Sequence, residues 1–119
     1  MKASEIMSTP IVFTKGNVKL TYVKDLFTRN NISAPVLNDN GDIEGIISSS
    51  DLIANHNESL LVSDVMSTRV HVCALNARLK DIAIKMTTEK IHHMVAMDDG
   101  KIHGMISSLD VIKGLLEEI

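Results

Sequence analysis

Two seven-residue stretches decide how this sequence folds: GIISSSD, Gly45–Asp51, and GMISSLD, Gly104–Asp110. Each ends an apolar run with a glycine, then serines, then an aspartate. Serine followed three positions later by an acid, Ser48-x-x-Asp51 and Ser107-x-x-Asp110, resembles a capping box and predicts a strand passing into a helix. The block raises two questions: why it occurs twice, and whether helix capping alone accounts for its serines and aspartate.

Working outward answers the first. Written over one another with Ser4 on Ser63, the two halves match without a gap. Met7, Ser8 and Thr9 fall on Met66, Ser67 and Thr68. Asn17, Leu20, Thr28, Ile32 and Val36 fall on Asn76, Leu79, Thr87, Ile91 and Val95, and the two quoted blocks coincide. The chain is a duplication. Each copy predicts a helical turn (SEIMS, SDVMS), an extended run (IVFT, VHVC) and an amphipathic helix. Leu20, Val23, Leu26 and Phe27 line one such helix, and Leu79, Ile82, Ala83 and Met86 the other. Two strands follow around a hairpin turn, NDNG or MDDG, in which Gly41 and Gly100 take positive φ. A last helix begins at the serines. One unit cannot bury both faces of three strands, but two packed sheet to sheet can. The expected division is 1–57 and 58–119, one integrated module joined by the short HNESLLV segment.

Composition bounds the rest. The 119 residues are 45% hydrophobic, enough for one domain or two half-domains sharing a core. The net charge of -3 and the 3% aromatic content, with no Trp, argue against a nucleic-acid partner and against base-stacking platforms. MKASEIMSTP carries no long apolar run, so neither a signal peptide nor a membrane span is expected, and a cytoplasmic location is. The single cysteine, Cys73, reads as a buried inert thiol. His56, His71, His92, His93 and His103 are scattered, so no metal site is expected. No nucleophile elbow, Gly-rich phosphate loop or dinucleotide fingerprint is present, so no catalysis is expected.

The element order, the openings IMSTP and VMSTR, and the blocks ISAPVLNDNGDIEGIISSSDLI and IHHMVAMDDGKIHGMISSLDVI resemble cystathionine-beta-synthase (CBS) domains. Two such domains in tandem form a Bateman module. The resemblance covers nearly the whole chain. It implies an α/β fold of two βαββα repeats packed with pseudo-twofold symmetry, their sheets facing each other. It implies a stand-alone regulatory module, not an enzyme, that binds AMP, ADP, ATP or S-adenosylmethionine in clefts between the repeats, needs no other cofactor, forms a homodimer and acts on an effector protein. The alternative is a ligand-free dimerisation and interaction scaffold. Two departures stand out: TKGN and CALN lack a proline usual in the family, and Pro35 falls on Met94.

The resemblance also gives candidate ligand residues. Asp51 and Asp110 match the aspartate that holds both ribose hydroxyls, a role suited to a carboxylate's two acceptor oxygens; capping remains a compatible second role. Ser48, Ser50 and Ser107 stand at helix starts, where free N–H groups and hydroxyls receive phosphate. Ser50 falls on Leu109, which predicts unequal sites. His92 and His93 stand where the family's AMP-activated protein kinase gamma subunit has a His-Arg pair facing phosphates, and adjacent strand residues face opposite ways. Ile11, Phe13 and Thr14, with Val70 and Val72, and Ala34, Pro35 and Met94 match regions that sandwich the base. Each also reads as simple core. Lys15, Lys19, Arg69 and Arg78 read as solubilising charge before phosphate counterions.

Overall fold

The computed structural model describes residues 1–9, 11–27, 33–55, 57 and 59–119. Thr28, Ile32 and His56 lie outside the described residues. The first repeat contains α1 (Ala3–Ile6), β1 (Thr14–Lys15), α2 (Leu20–Phe27), β2 (Ser33–Leu37), β3 (Ile43–Ser48) and α3 (Ser49–Ala54). The second contains α4 (Val62–Val65), β4 (Val72–Ala74), α5 (Leu79–Glu89), β5 (His93–Asp98), β6 (Lys101–Ser107) and α6 (Ser108–Glu118). The expected α/β order holds in both copies. The first strand of each is shorter than the IVFT and VHVC runs suggest, starting only at Thr14 and Val72.

Each repeat builds a three-stranded mixed sheet, β1-β2-β3 and β4-β5-β6. The first pair in each is parallel, because α2 or α5 crosses over between them, and the second is an antiparallel hairpin. Gly41 and Gly100 sit in the turns at φ 83 and 76, a region open to glycine at no steric cost. Residues 34–36 and 94–96 are buried without alternation, the pattern of a central strand shielded on both faces.

The strand register corrects one reading of the sequence. Val36 pairs with Gly45, but it is Ala96 that pairs with Gly104. The ungapped alignment therefore slips by one across β2 and β5. Thr14 aligns with Val36 and Cys73 with Ala96, so the second repeat has one more residue before its central strand. It recovers the register in a hairpin one residue shorter, between Met97 and Ile102 instead of Leu37 and Ile43. Ser33 is thus the counterpart of His93, Ala34 of Met94, and Pro35 of Val95.

Packing divides the chain otherwise than the repeats do. A continuous unit holds residues 12–70, and a split unit holds 1–11 with 71–119. The opening helical turn of each repeat therefore lies in the unit built on the other repeat's sheet. In the split unit Ala3 N–H donates to Ala77 O at 2.8 Å, Ser4 to Leu75 at 3.0 Å and Leu79 to Met1 at 2.8 Å. In the continuous unit Val62 donates to Val18 at 2.8 Å, Ser63 to Gly16 at 2.9 Å and Leu20 to Leu60 at 2.9 Å. The acids of SEI and SDV start these turns: Glu5 accepts from Lys2 N–H and Asp64 from Leu61 N–H.

Each unit has its own core. Leu79, Ile82 and Met86, at helical spacing on α5, pack with Ala3, Met94, Ala96, Ile106 and Val111. Leu20 and Val23 of α2 pack with Ala34, Val36, Ile47, Leu52 and Val62. Burying each larger aliphatic side chain contributes roughly 1.5–3 kcal/mol. Ala3 and Val62, wholly buried, come from the exchanged turns, so each core is completed by the opening of the other repeat.

Candidate functional site

The quoted blocks form a strand end, a cap and a helix start in each unit. Ser48 is extended at φ -121 and ψ 166 and caps α3. Its hydroxyl accepts from Asp51 N–H at 3.4 Å, while Ser48 N–H donates to Asp51 Oδ2 at 2.8 Å. Ser48 Oγ also donates to Asp51 Oδ2 at 3.0 Å and lies 2.8 Å from Ser50 Oγ. In the split unit Asp110 N–H donates to Ser107 Oγ at 3.1 Å and Ser107 N–H to Asp110 Oδ2 at 2.9 Å. Ser8 Oγ donates to the same Oδ2 at 3.4 Å.

The capping box forms at both aspartates, and only Oδ2 is used for it. Among the described residues, neither Asp51 Oδ1 nor Asp110 Oδ1 accepts a hydrogen bond. Each half-buried carboxylate is held in one orientation by its cap and keeps one oxygen for another donor. The hydroxyl networks differ: Ser48 donates to Asp51 and contacts Ser50, whereas Leu109 is exposed and Asp110 receives the hydroxyl of Ser8, 102 positions away.

The histidines separate. His92 is exposed before β5, and its carbonyl accepts from Ser108 N–H at 2.8 Å. His93 is half-buried in β5, directly across from Ser107, with Nε2 out of solvent. Both flank the start of α6, His92 through its carbonyl and His93 through its pairing with Ser107, and His93 is the one half-buried there.

The other candidate residues scatter. Ala34 and Met94 belong to the two cores. Pro35 is fully buried; Ile11 and Val70 are half-buried, and Val72 is exposed. Phe13 and Thr14 line a surface pocket of about 340 Å³ with Lys15, Leu37, Asn38, Asp39 and Gly41, at the hairpin end of the sheet. Thr14 lies beside Val36, three residues along β2 from the Ser33–Ser48 pair at the capping end, roughly 10 Å away. Lys15 pairs with Asp39 at 3.1 Å and Arg78 with Asp81 at 3.0 Å, exposed pairs of small energetic weight. Cys73 is half-buried and burial pushes its thiol above the ordinary value, which suits an inert side chain.

One constellation escaped the sequence reading. Ser8 exchanges both backbone hydrogen bonds with Met105 at 2.7 and 3.2 Å, and Ser67 does so with Ile46 at 2.9 and 2.9 Å. The preceding methionine then lies over the block's glycine. A Cβ on Gly104 would stand 2.6 Å from Met7 Sδ, and one on Gly45 would stand 2.6 Å from Ser67 O. The signal was present, since Met-Ser-Thr and the glycine both repeat, but nothing in a sequence says that one copy of the first meets the other copy of the second. Among the described residues no group of three His, Cys, Asp or Glu side chains is placed to hold a metal, and no helix is long and apolar enough to cross a membrane.

Comparison with known proteins agrees with this architecture. The CBS domain model matches residues 3–57 and 62–117. Uncharacterized protein MJ1426 of Methanocaldococcus jannaschii is 30% identical, covering 98% of this chain and 92% of its own length. Uncharacterized protein MJ1225 of the same organism is 27% identical over 92% of this chain, which spans only 41% of that relative. Among solved structures, the CBS domain pair of protein MJ0100, in complex with 5'-methylthioadenosine and S-adenosyl-L-methionine, superposes with a TM-score of 0.87 at 22% identity, covering 100% of this chain and 98% of that one. CBSX2 in complex with AMP gives 0.83 at 22% identity, covering 98% and 97%. The CBS domain of a bacterial CNNM/CorC family Mg2+ transporter in complex with ATP gives 0.84 at 20% identity, covering 100% and 89%.

Proposed function

The chain belongs to the CBS domain family, and on that premise we propose that it is a non-catalytic regulatory module that binds an adenosyl ligand at Asp51 and Asp110. The observation that carries this reading is the division of labour within each carboxylate. Oδ2 is held by the cap, and Oδ1 is left to accept from a ribose hydroxyl. Ser107 at the start of α6, with His93 across from it, supplies donors beside Asp110, and Ser50, in contact with the capping Ser48, supplies one beside Asp51. The adenosyl compounds in the three similar complexes support this ligand class. A ligand of this kind regulates by binding two arrangements of the protein unequally, and an effector protein reads the difference.

Calorimetry with AMP, ADP, ATP and S-adenosylmethionine tests this. Asp→Asn at 51 or 110 keeps an acceptor for the cap but removes the charge and an acceptor oxygen. Each substitution is expected to abolish one class of site and leave the fold intact. Absence of heat with every ligand at millimolar concentration rejects the reading.

A second reading has its own observation. On α6, Leu109, Ile112 and Leu116 are 52%, 52% and 65% exposed at three- and four-residue spacing, one apolar stripe on an 11-residue helix. Such a face supports a homodimer, and a scaffold role needs nothing else. Sedimentation of the wild type and of Ile112→Lys separates the two: a dimer lost on substitution, without ligand binding in either, favours the scaffold.

A further inference from the structure

The two aspartates are wired to different parts of the chain. Asp51 is enclosed by its own helix start, through Ser48 N–H, Ser48 Oγ and the Ser48–Ser50 hydroxyl contact. Asp110 N–H donates to the Ser107 hydroxyl, but the hydroxyl that donates to its carboxylate belongs to Ser8. Ser67, which occupies the corresponding place in the continuous unit, makes the backbone pair with Ile46 but gives no side-chain hydrogen bond to Asp51. Ser8 itself is fixed in position. Its backbone pairs with Met105, and Met7 fills the space over Gly104 that a side chain would otherwise take.

We propose that Ser8 is a ligand contact beside Asp110, through which an occupied site holds residues 1–9 against residues 71–119 of the split unit. The inference rests on the reading that Asp110 receives a ribose diol. Asp110 Oδ2 already accepts Ser107 N–H and the Ser8 hydroxyl, which leaves Oδ1 for one ribose hydroxyl. The second hydroxyl has the Ser8 Oγ lone pairs within its reach, since the Ser8 proton points to Oδ2. A ligand so held bridges the start of α6 and the opening segment. Lifting residues 1–9 then requires breaking a ligand contact as well as the bonds of Met1, Ala3, Ser4 and Ser8 to Leu79, Ala77, Leu75 and Met105. Occupancy of Asp51 has no such link to residues 60–68. The regulated element is therefore the opening segment of the first repeat, and the signal is its docking.

Hydrogen–deuterium exchange of the full chain, with and without AMP or S-adenosylmethionine at concentrations shown by calorimetry to saturate, tests this. Expected is slower exchange across residues 2–9 with ligand, by about fivefold or more, the weight of one hydrogen bond, with a smaller change across 60–68. Ser8→Ala is expected to weaken binding about fivefold and to abolish the ligand-dependent protection of 2–9 while protection at the start of α6 persists. Ser8→Thr restores both. A circular dichroism spectrum equal to wild type certifies that Ser8→Ala is folded. Undiminished protection of 2–9 in Ser8→Ala overturns the inference. Heat of binding without protection of 2–9 in the wild type overturns it while the ligand-binding function stands; no heat at all overturns both.

Discussion

Replacing Gly45 with alanine tests the exchange of opening segments at its tightest point. A Cβ there would meet the Ser67 carbonyl oxygen at 2.6 Å and Met66 Sδ at 2.8 Å, where ordinary contact begins at 3.4 Å. The thioether can swing aside, but the carbonyl is backbone and is held in place. It accepts from Ile46 N–H at 2.9 Å, and Ser67 N–H returns a bond to Ile46 O at 2.9 Å. Making room breaks both bonds, each worth about 1 kcal/mol net, or strains the strand by about 1–3 kcal/mol as overpacking does. The reduced entropy of the unfolded chain returns about 0.4–1 kcal/mol. The expected net loss is about 1–2 kcal/mol, read as a lower urea midpoint at unchanged slope in far-ultraviolet circular dichroism. Gly104→Ala meets only Met7 side-chain atoms, at 2.6, 2.7 and 2.8 Å. It is expected to lose less and to be partly rescued by Met7→Ala, which removes Sδ and Cγ but leaves Cβ. A loss below about 0.5 kcal/mol for Gly45→Ala, the level of a neutral surface change, refutes the packing argument. So does strict additivity of Gly104→Ala with Met7→Ala.

Asp51→Ala removes the cap and the proposed ligand acceptor together, so it is expected to lower stability by about 1 kcal/mol, whereas Asp51→Asn costs less than half of that in the same urea titration; equal costs contradict the cap assignment. Ile112→Lys on the exposed stripe of α6 is expected to leave the urea midpoint within about 0.5 kcal/mol while changing the sedimentation coefficient. For Cys73, burial raises the thiol above its ordinary 9.0. A raised folded-state value favours the protonated thiol, so its contribution is complete below the unfolded value and is lost as pH rises through the folded one. Stability is therefore expected to fall above about pH 9 more steeply in the wild type than in Cys73→Ser, and iodoacetamide at pH 8 is expected to react with Cys73 more slowly than with a free thiol.

Much of the fold was legible because its signals are local. Helix starts at Ser48 and Ser107, turns at Gly41 and Gly100 and the apolar faces of α2 and α5 follow from residues within a few positions of one another. The duplication was legible because like residues recur. The register was not. Val36 and Val95 match as letters, yet Val36 and Ala96 match in the sheet. An extra residue before β5 and a missing one in the hairpin cancel, so an ungapped comparison passes over both. The candidate ligand residues divide the same way. Asp51 and Asp110 could be placed from their caps, but Met94, identified by analogy of position with Pro35, is a core side chain at the counterpart of Ala34.

The exchange of opening segments lay furthest from view, and it answers why GIISSSD begins with glycine. A capping box needs the serine and the aspartate but has no use for Gly45 or Gly104. Those residues let Met66-Ser67 and Met7-Ser8 lie against the strand that ends in the cap. The block thus serves two contacts at once: its glycine receives the opening of the other repeat, and six positions later its aspartate aims a free carboxylate oxygen. In the split unit the two are joined directly by Ser8 on Asp110, and in the continuous unit they are not. A duplication has therefore left one aspartate bonded to its docking segment and one enclosed in its own helix start. For that reason Asp51→Asn and Asp110→Asn are expected to differ in their effect on exchange at residues 2–9, even if they remove equal amounts of ligand binding.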